Sequence, residues 1–157
     1  MTGSGIGVVF TVSLFFALIL QLIPLSAEFI YWRPDFLLLI TVGWIMFTPD
    51  SRGIGFAASM GFLADLVFGS PLGLHVLLFS LIGAIPLFFS GWLMYFTLIH
   101  RCVFIFCLVV FYQLINNTLY SLFSVVANYD DVLAIAFVSA MIWPLFDRLL
   151  FAANYKR

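Results

Sequence analysis

Charge is what this sequence has least of. Six basic and seven acidic residues among 157 leave 8% of the chain charged, against 65% hydrophobic. A water-soluble domain is about a quarter charged and about half apolar. Too few polar groups remain to cover a water-facing surface, so the sequence predicts an integral membrane protein, one domain over residues 1–157. The net charge is −1, with no basic tract and no acidic tail, which argues against nucleic acid as a partner.

Cysteine is equally scarce. Cys102 and Cys107 stand five residues apart in an apolar run, a spacing that does not bring them together on one helix. They define neither a disulfide framework nor a zinc site, and read as buried soft apolar side chains. The start, MTGSGIGVVF, has no positive n-region and no cleavage pattern, so the first apolar run reads as a retained span. There is no G-x-S-x-G elbow and no H-E-x-x-H pair, and His75 and His100 lie 25 residues apart. No catalytic, metal or cofactor-binding residue is assigned, and the chain reads as no enzyme.

What is present is a succession of apolar runs. Spans are expected at about 7–23, 36–48, 54–68, 72–96, 102–126 and 132–150. Pro24 ends the first. The linker LSAEFIYWRPD follows, with Tyr31 and Trp32 suited to a membrane interface. The second and third runs are short for a bilayer, which suggests tilted, partly broken or re-entrant helices. Pro86 should bend the fourth, and His100-Arg101 should mark a loop after it. With six spans, Arg52, Arg101, Arg148, Lys156 and Arg157 gather on one side, and only Arg33 falls on the other. Basic residues favour the cytoplasm. The expected fold is therefore an all-α six-transmembrane-helix bundle with short, partly broken helices and both termini cytoplasmic.

Within so apolar a chain, each polar group invites a reason. Asp65 sits inside ADLVFGSPLGLH. A charge at the centre of a lone helix in lipid costs at least about 2.5–3.5 kcal/mol, so Asp65 should face protein or water. Gly53, Ala57, Gly61, Asp65 and Gly69 recur at every fourth position and form a small-residue ridge that lets a neighbouring backbone approach. Ala57, Gly61, Asp65 and Gly69 are thus candidates for helix packing or a partner interface. Asp65 has possible partners in Ser70, Arg33, the N–H groups of the GSPLG turn and the start of the fourth helix. Pro71 suits that helix's first turn. As a function, Asp65 would be a ligand or proton site; as a structural feature, it would fix the connection between helices three and four.

Arg33-Pro34-Asp35 forms a second cluster, in which Pro34 forbids a helical Arg33 and places Asp35 in the first turn of the next helix. Arg33, Pro34, Asp35, Ser70, Pro71, Gly73 and His75 together make a candidate outer-turn motif. On the fifth helix Gln113, Asn117, Tyr120 and Ser124 share one face, either as interhelical glue or as a partner surface. Ser70, His75 and Asp65 are close in sequence, yet without an elbow or an oxyanion site they do not read as a hydrolase. Asp147-Arg148 reads as a pair of interface charges.

The order R-P-D (33–35), a short apolar helix, P-x-x-R-G (49–53) and then G-F-x-x-D-x-x-x-G-S-P-L-G-x-H (61–75) resembles the rod shape-determining protein MreD family. The Trp143-Pro144 pair is similar to that family's last helix. The resemblance implies a non-enzymatic, multi-pass subunit of the cell-elongation machinery in the bacterial inner membrane. It would bind the transmembrane helix of MreC and work with MreB and with the SEDS glycosyltransferase and transpeptidase pair that builds lateral peptidoglycan. The family also looks distantly like the substrate-binding subunits of energy-coupling-factor transporters, which motivates an alternative: a small-molecule or lipid-binding membrane subunit.

Overall fold

The computed structural model describes residues 3–23, 33–93, 95–122 and 130–154. The expected interfacial pair Tyr31 and Trp32, most of the linker that holds them, Ser124 and the basic tail Lys156-Arg157 lie outside the described residues. Seven helices and no strand make up the described residues: α1 (Gly3–Leu22), α2 (Phe36–Phe47), α3 (Ile54–Phe68), α4 (Leu74–Phe88), α5 (Ser90–Leu93), α6 (Leu98–Leu122) and α7 (Val132–Asn154). Two stretches, Leu98–Leu122 and Val132–Leu150, are long and apolar enough to cross a membrane.

α2 is the axis of the bundle. Its sequence, FLLLITVGWIMF, is apolar on every face, which fits burial from all sides. Leu37, Leu38, Leu39, Ile40, Val42, Trp44 and Ile45 are all buried. Asp35 starts the helix as its N-cap, with Oδ1 accepting the Leu38 N–H at 3.1 Å. Pro34 precedes it, so Asp35 stands one position before the first turn in which the sequence places it. The lone polar residue inside, Thr41, returns its hydroxyl to the Leu37 carbonyl at 2.7 Å. α1, α3, α4 and α7 pack on α2, α3 and α4 form one hairpin, and α6 and α7 form another.

Three expectations are corrected in the second half. The 72–96 run is not one continuous helix: α4 stops at Phe88, and the single turn of α5 follows. His100-Arg101 is no loop, because α6 begins at Leu98 and carries both residues in its first turn. Apolar continuity hid the first break, and two polar residues extending a helix beyond its apolar stretch imitated the second. Cys107 is also exposed rather than buried. For an apolar thiol beside lipid, exposure costs little.

The ends of the bundle differ. At one, Arg101 on α6 meets Asp147 on α7 at 3.0 Å, so Asp147 is paired while Arg148 beside it is exposed. Arg52 lies near there, between α2 and α3. Its guanidinium donates to Thr48 Oγ1 at 2.6 Å and stands 4.1 Å from the centre of the Trp44 ring. At the other end are the α3–α4 turn, the start of α2 and the end of α1.

Candidate functional site

Of the polar residues singled out in the sequence, Asp65, Ser70 and His75 converge on the α3–α4 turn. Gly69, at φ 63°, closes α3 in the left-handed conformation, and its N–H and that of Ser70 return to the Asp65 carbonyl. Gly73, at φ 101°, then opens α4. Both conformations favour glycine, because L side chains rarely adopt them. Pro71 lies in the turn ahead of α4, not in its first turn as expected, and its carbonyl accepts the Leu74 N–H at 3.1 Å.

This turn wraps the N-terminus of α4 around the Asp65 carboxylate. Oδ2 accepts the Gly73 N–H at 2.8 Å. Oδ1 accepts the His75 N–H at 2.9 Å and the Ser70 hydroxyl at 2.8 Å. His75 Nδ1 stands 2.9 Å from that same Oδ1 and 2.9 Å from Ser70 Oγ. The hydroxyl already donates to the carboxylate, so the network assigns the proton to Nδ1. Asp65 is 1% exposed and His75 3%. Three donors crowd onto Oδ1 and one onto Oδ2, and the N-terminal dipole of α4 adds to them. A buried acid is thereby made compatible with an apolar chain.

Serine, histidine and aspartate are thus in mutual contact, but not in the arrangement of a nucleophilic triad. There the serine and the carboxylate address opposite imidazole nitrogens, so that the ring can take the serine proton. Here both crowd onto Nδ1, and the hydroxyl hydrogen bonds to the carboxylate itself. The geometry ties α3 to α4. The His75 ring continues the contact inward, edge-on to Phe79 at 6.1 Å and to Tyr120 of α6 at 6.5 Å.

Arg33 does not reach Asp65. It donates to the Leu20 carbonyl at 2.7 Å and pins the end of α1. Gln21 supports the same junction by accepting the Phe36 N–H at 3.0 Å. Asp35 turns its second oxygen to the Tyr112 hydroxyl at 3.0 Å. Tyr112 lies ten residues before the end of α6, about 15 Å along the helix, so α2 begins well inside the length of α6. Sequence reasoning passed over Tyr112 and Gln21. The line Tyr112-Asn116-Tyr120, at i, i+4 and i+8, carried the signal for Tyr112, one residue round from the polar face that was singled out. Gln113 and Asn117, on that face, are half-buried.

The small-residue ridge is covered from within the chain. A Cβ on Gly61 would stand 2.7 Å from the His75 carbonyl carbon and from Val76 Cα, and closer still to the His75 oxygen. Gly83 of α4 is pressed in turn on Ala57, where a Cβ would meet the alanine methyl at 2.7 Å. The ridge at Ala57 and Gly61 is therefore the seat of α4, and no groove is left there for another helix. Gly53 and Gly69 lie off the contact, with open space where a Cβ would project.

A protein-family model described as "rod shape-determining protein MreD" matches residues 3–152. A curated protein from Haemophilus influenzae, named rod shape-determining protein MreD, is 28% identical over 141 residues, which cover 86% of this chain and 85% of that protein. No solved structure matches.

Proposed function

Since the chain belongs to the rod shape-determining protein MreD family, we propose that it is a membrane scaffold of the rod-shape machinery with no chemistry of its own. It crosses the bacterial inner membrane six times with both termini in the cytoplasm. It holds the transmembrane helix of MreC, and through MreC it supports MreB and the SEDS glycosyltransferase and transpeptidase pair in lateral peptidoglycan synthesis. The alternation of helices supports this topology: Arg52 and Arg101 share one end of the bundle, as a cytoplasmic face requires.

The observation that carries the scaffold reading is the engagement of both Asp65 carboxylate oxygens by α3–α4 turn and α4 donors inside the fold. The group best placed for reaction is spent on joining α3 to α4. With α4 seated on Ala57 and Gly61, the partner helix belongs on another face. Gln113 and Asn117 on α6 supply it, because amide hydrogen bonds between membrane helices are worth about 0.6–2 kcal/mol each. The test is co-purification with MreC in detergent. Wild-type protein should bring MreC down, and Gln113→Leu combined with Asn117→Leu should lower the yield several-fold. Full recovery by the double variant would move the interface off α6. A folded wild-type protein that never captures MreC would end the reading.

A further inference from the structure

We propose that an apolar groove between α1 and α7 holds one acyl chain of an anionic phospholipid, with Arg52 meeting its phosphate. The groove encloses about 400 Å³. Val12 and Phe16 of α1 form one wall, Phe146 and Leu149 of α7 the other, and Ile40 of α2 the floor. Val12 is 63% exposed and Leu149 54%, so the groove opens sideways where a bilayer would lie.

Its size and chemistry point to an acyl chain. An apolar cavity of about 150 Å³ holds the six carbons of benzene; in proportion, this volume holds roughly sixteen, the length of a common fatty acyl chain. The hydroxyl in its wall, Ser13, is already engaged. It donates to the Phe10 carbonyl at 2.8 Å and accepts the Trp44 indole N–H at 2.9 Å. The lining therefore offers a polar ligand nothing to bind.

Trp44 also connects the groove to a cation. Its N–H touches the Ser13 wall, and its ring carries the Arg52 guanidinium, which lies 5.1 Å from Phe10 and 5.4 Å from Phe56 as well. Among the described residues no carboxylate comes within ion-pair distance of Arg52. One of its five N–H groups is spent on Thr48. The remaining planar fork suits a phosphate, and its aromatic cup holds the fork in place. An uncompensated arginine at the end of a membrane bundle, one indole away from an acyl-sized groove, selects an anionic headgroup over a zwitterionic one.

The test uses the full chain reconstituted in equal parts phosphatidylglycerol and phosphatidylethanolamine, extracted in mild detergent and read by native mass spectrometry. Wild-type protein should retain a phospholipid, with phosphatidylglycerol favoured about fivefold, the bias one arginine near an anionic surface supplies. Arg52→Gln should keep a lipid but return its composition to that of the membrane. Val12→Trp and Leu149→Trp, which fill the groove from exposed positions, should each remove the lipid while elution and helical circular dichroism stay unchanged. Wild-type protein that retains the two lipids in equal parts overturns the proposal. So does wild-type protein that emerges lipid-free, with or without a partner helix bound, and so do folded tryptophan variants that keep as much lipid as wild type.

Discussion

Gly61→Ala should loosen the α3–α4 hairpin by an amount the structure sets. The new methyl would stand 2.7 Å from the His75 carbonyl carbon and Val76 Cα. Ordinary contact begins near 3.4 Å, so α4 must retreat by roughly 0.7 Å or more at this point. Overpacking of this kind costs about 1–3 kcal/mol. The retreat also falls on His75, whose N–H and ring reach Asp65 at 2.9 Å. Bonds stretched from there by that much pass the usual limit of about 3.2 Å, and each one lost adds about 0.5–1.5 kcal/mol. With both bonds lost the sum is about 2–6 kcal/mol. In a chain of this length that lowers Tm by roughly 4–24 °C. Gly55 is the internal control: it lies in the same helix, but a Cβ there meets nothing within 4 Å. Gly55→Ala should hold or raise Tm, since alanine gains up to about 1 kcal/mol over glycine in a helix. Scanning fluorimetry in one detergent reads both variants. If Gly61→Ala melts with wild type, or Gly55→Ala melts as low as Gly61→Ala, the backbone contact at His75 is not what holds the hairpin.

Asp65→Asn turns an amide N–H₂ toward donors whichever way it sits, at about 1–3 kcal/mol for the unmade bonds, and should lower Tm by roughly 2–12 °C; an unchanged Tm would contradict the network. Tyr112→Phe removes the bond to Asp35 Oδ2 and should cost about 0.5–3 kcal/mol, the upper part if that carboxyl is ionised, which chemical denaturation in mixed micelles would measure. Arg101→Asp should destabilise the α6–α7 pair, and adding Asp147→Arg should recover much of the loss, because the two charges meet at 3.0 Å. Failure of the double exchange to recover Tm would show that the pair contributes nothing.

Much of the first half was legible because local chemistry wrote it. The P-D-S-R-G and G-S-P-L-G turns bracket α3, and its ends fall at Ile54 and Phe68 where those signals place them. The start of α4 stood among the partners open to Asp65, with Ser70, Arg33 and the G-S-P-L-G turn, since a buried acid needs donors and a helix N-terminus supplies them. What covers the ridge could not be read, because spacing shows that a backbone approaches Gly61 but not whose backbone. Asp35 and Tyr112, 77 positions apart, could not be paired without knowing how far α2 stops short of the end of α6. Arg52 read as one cytoplasmic charge among several. Its seat on Trp44 depends on α1, α2 and α3 meeting, which no local pattern encodes.

Whether Asp65 works by holding the fold is decided most directly in cells. In a rod-shaped bacterium deprived of its own MreD, Asp65→Asn, Ser70→Ala and His75→Gln would each be expressed over a range of levels, with cell width plotted against folded protein in the membrane. If these residues join α3 to α4 and do nothing else, all three variants fall on the wild-type curve, and cell shape fails only as folded protein is lost. A variant as abundant and as thermostable as wild type that still leaves round cells would place a ligand or a proton at Asp65, and the structural role argued for it would be untenable.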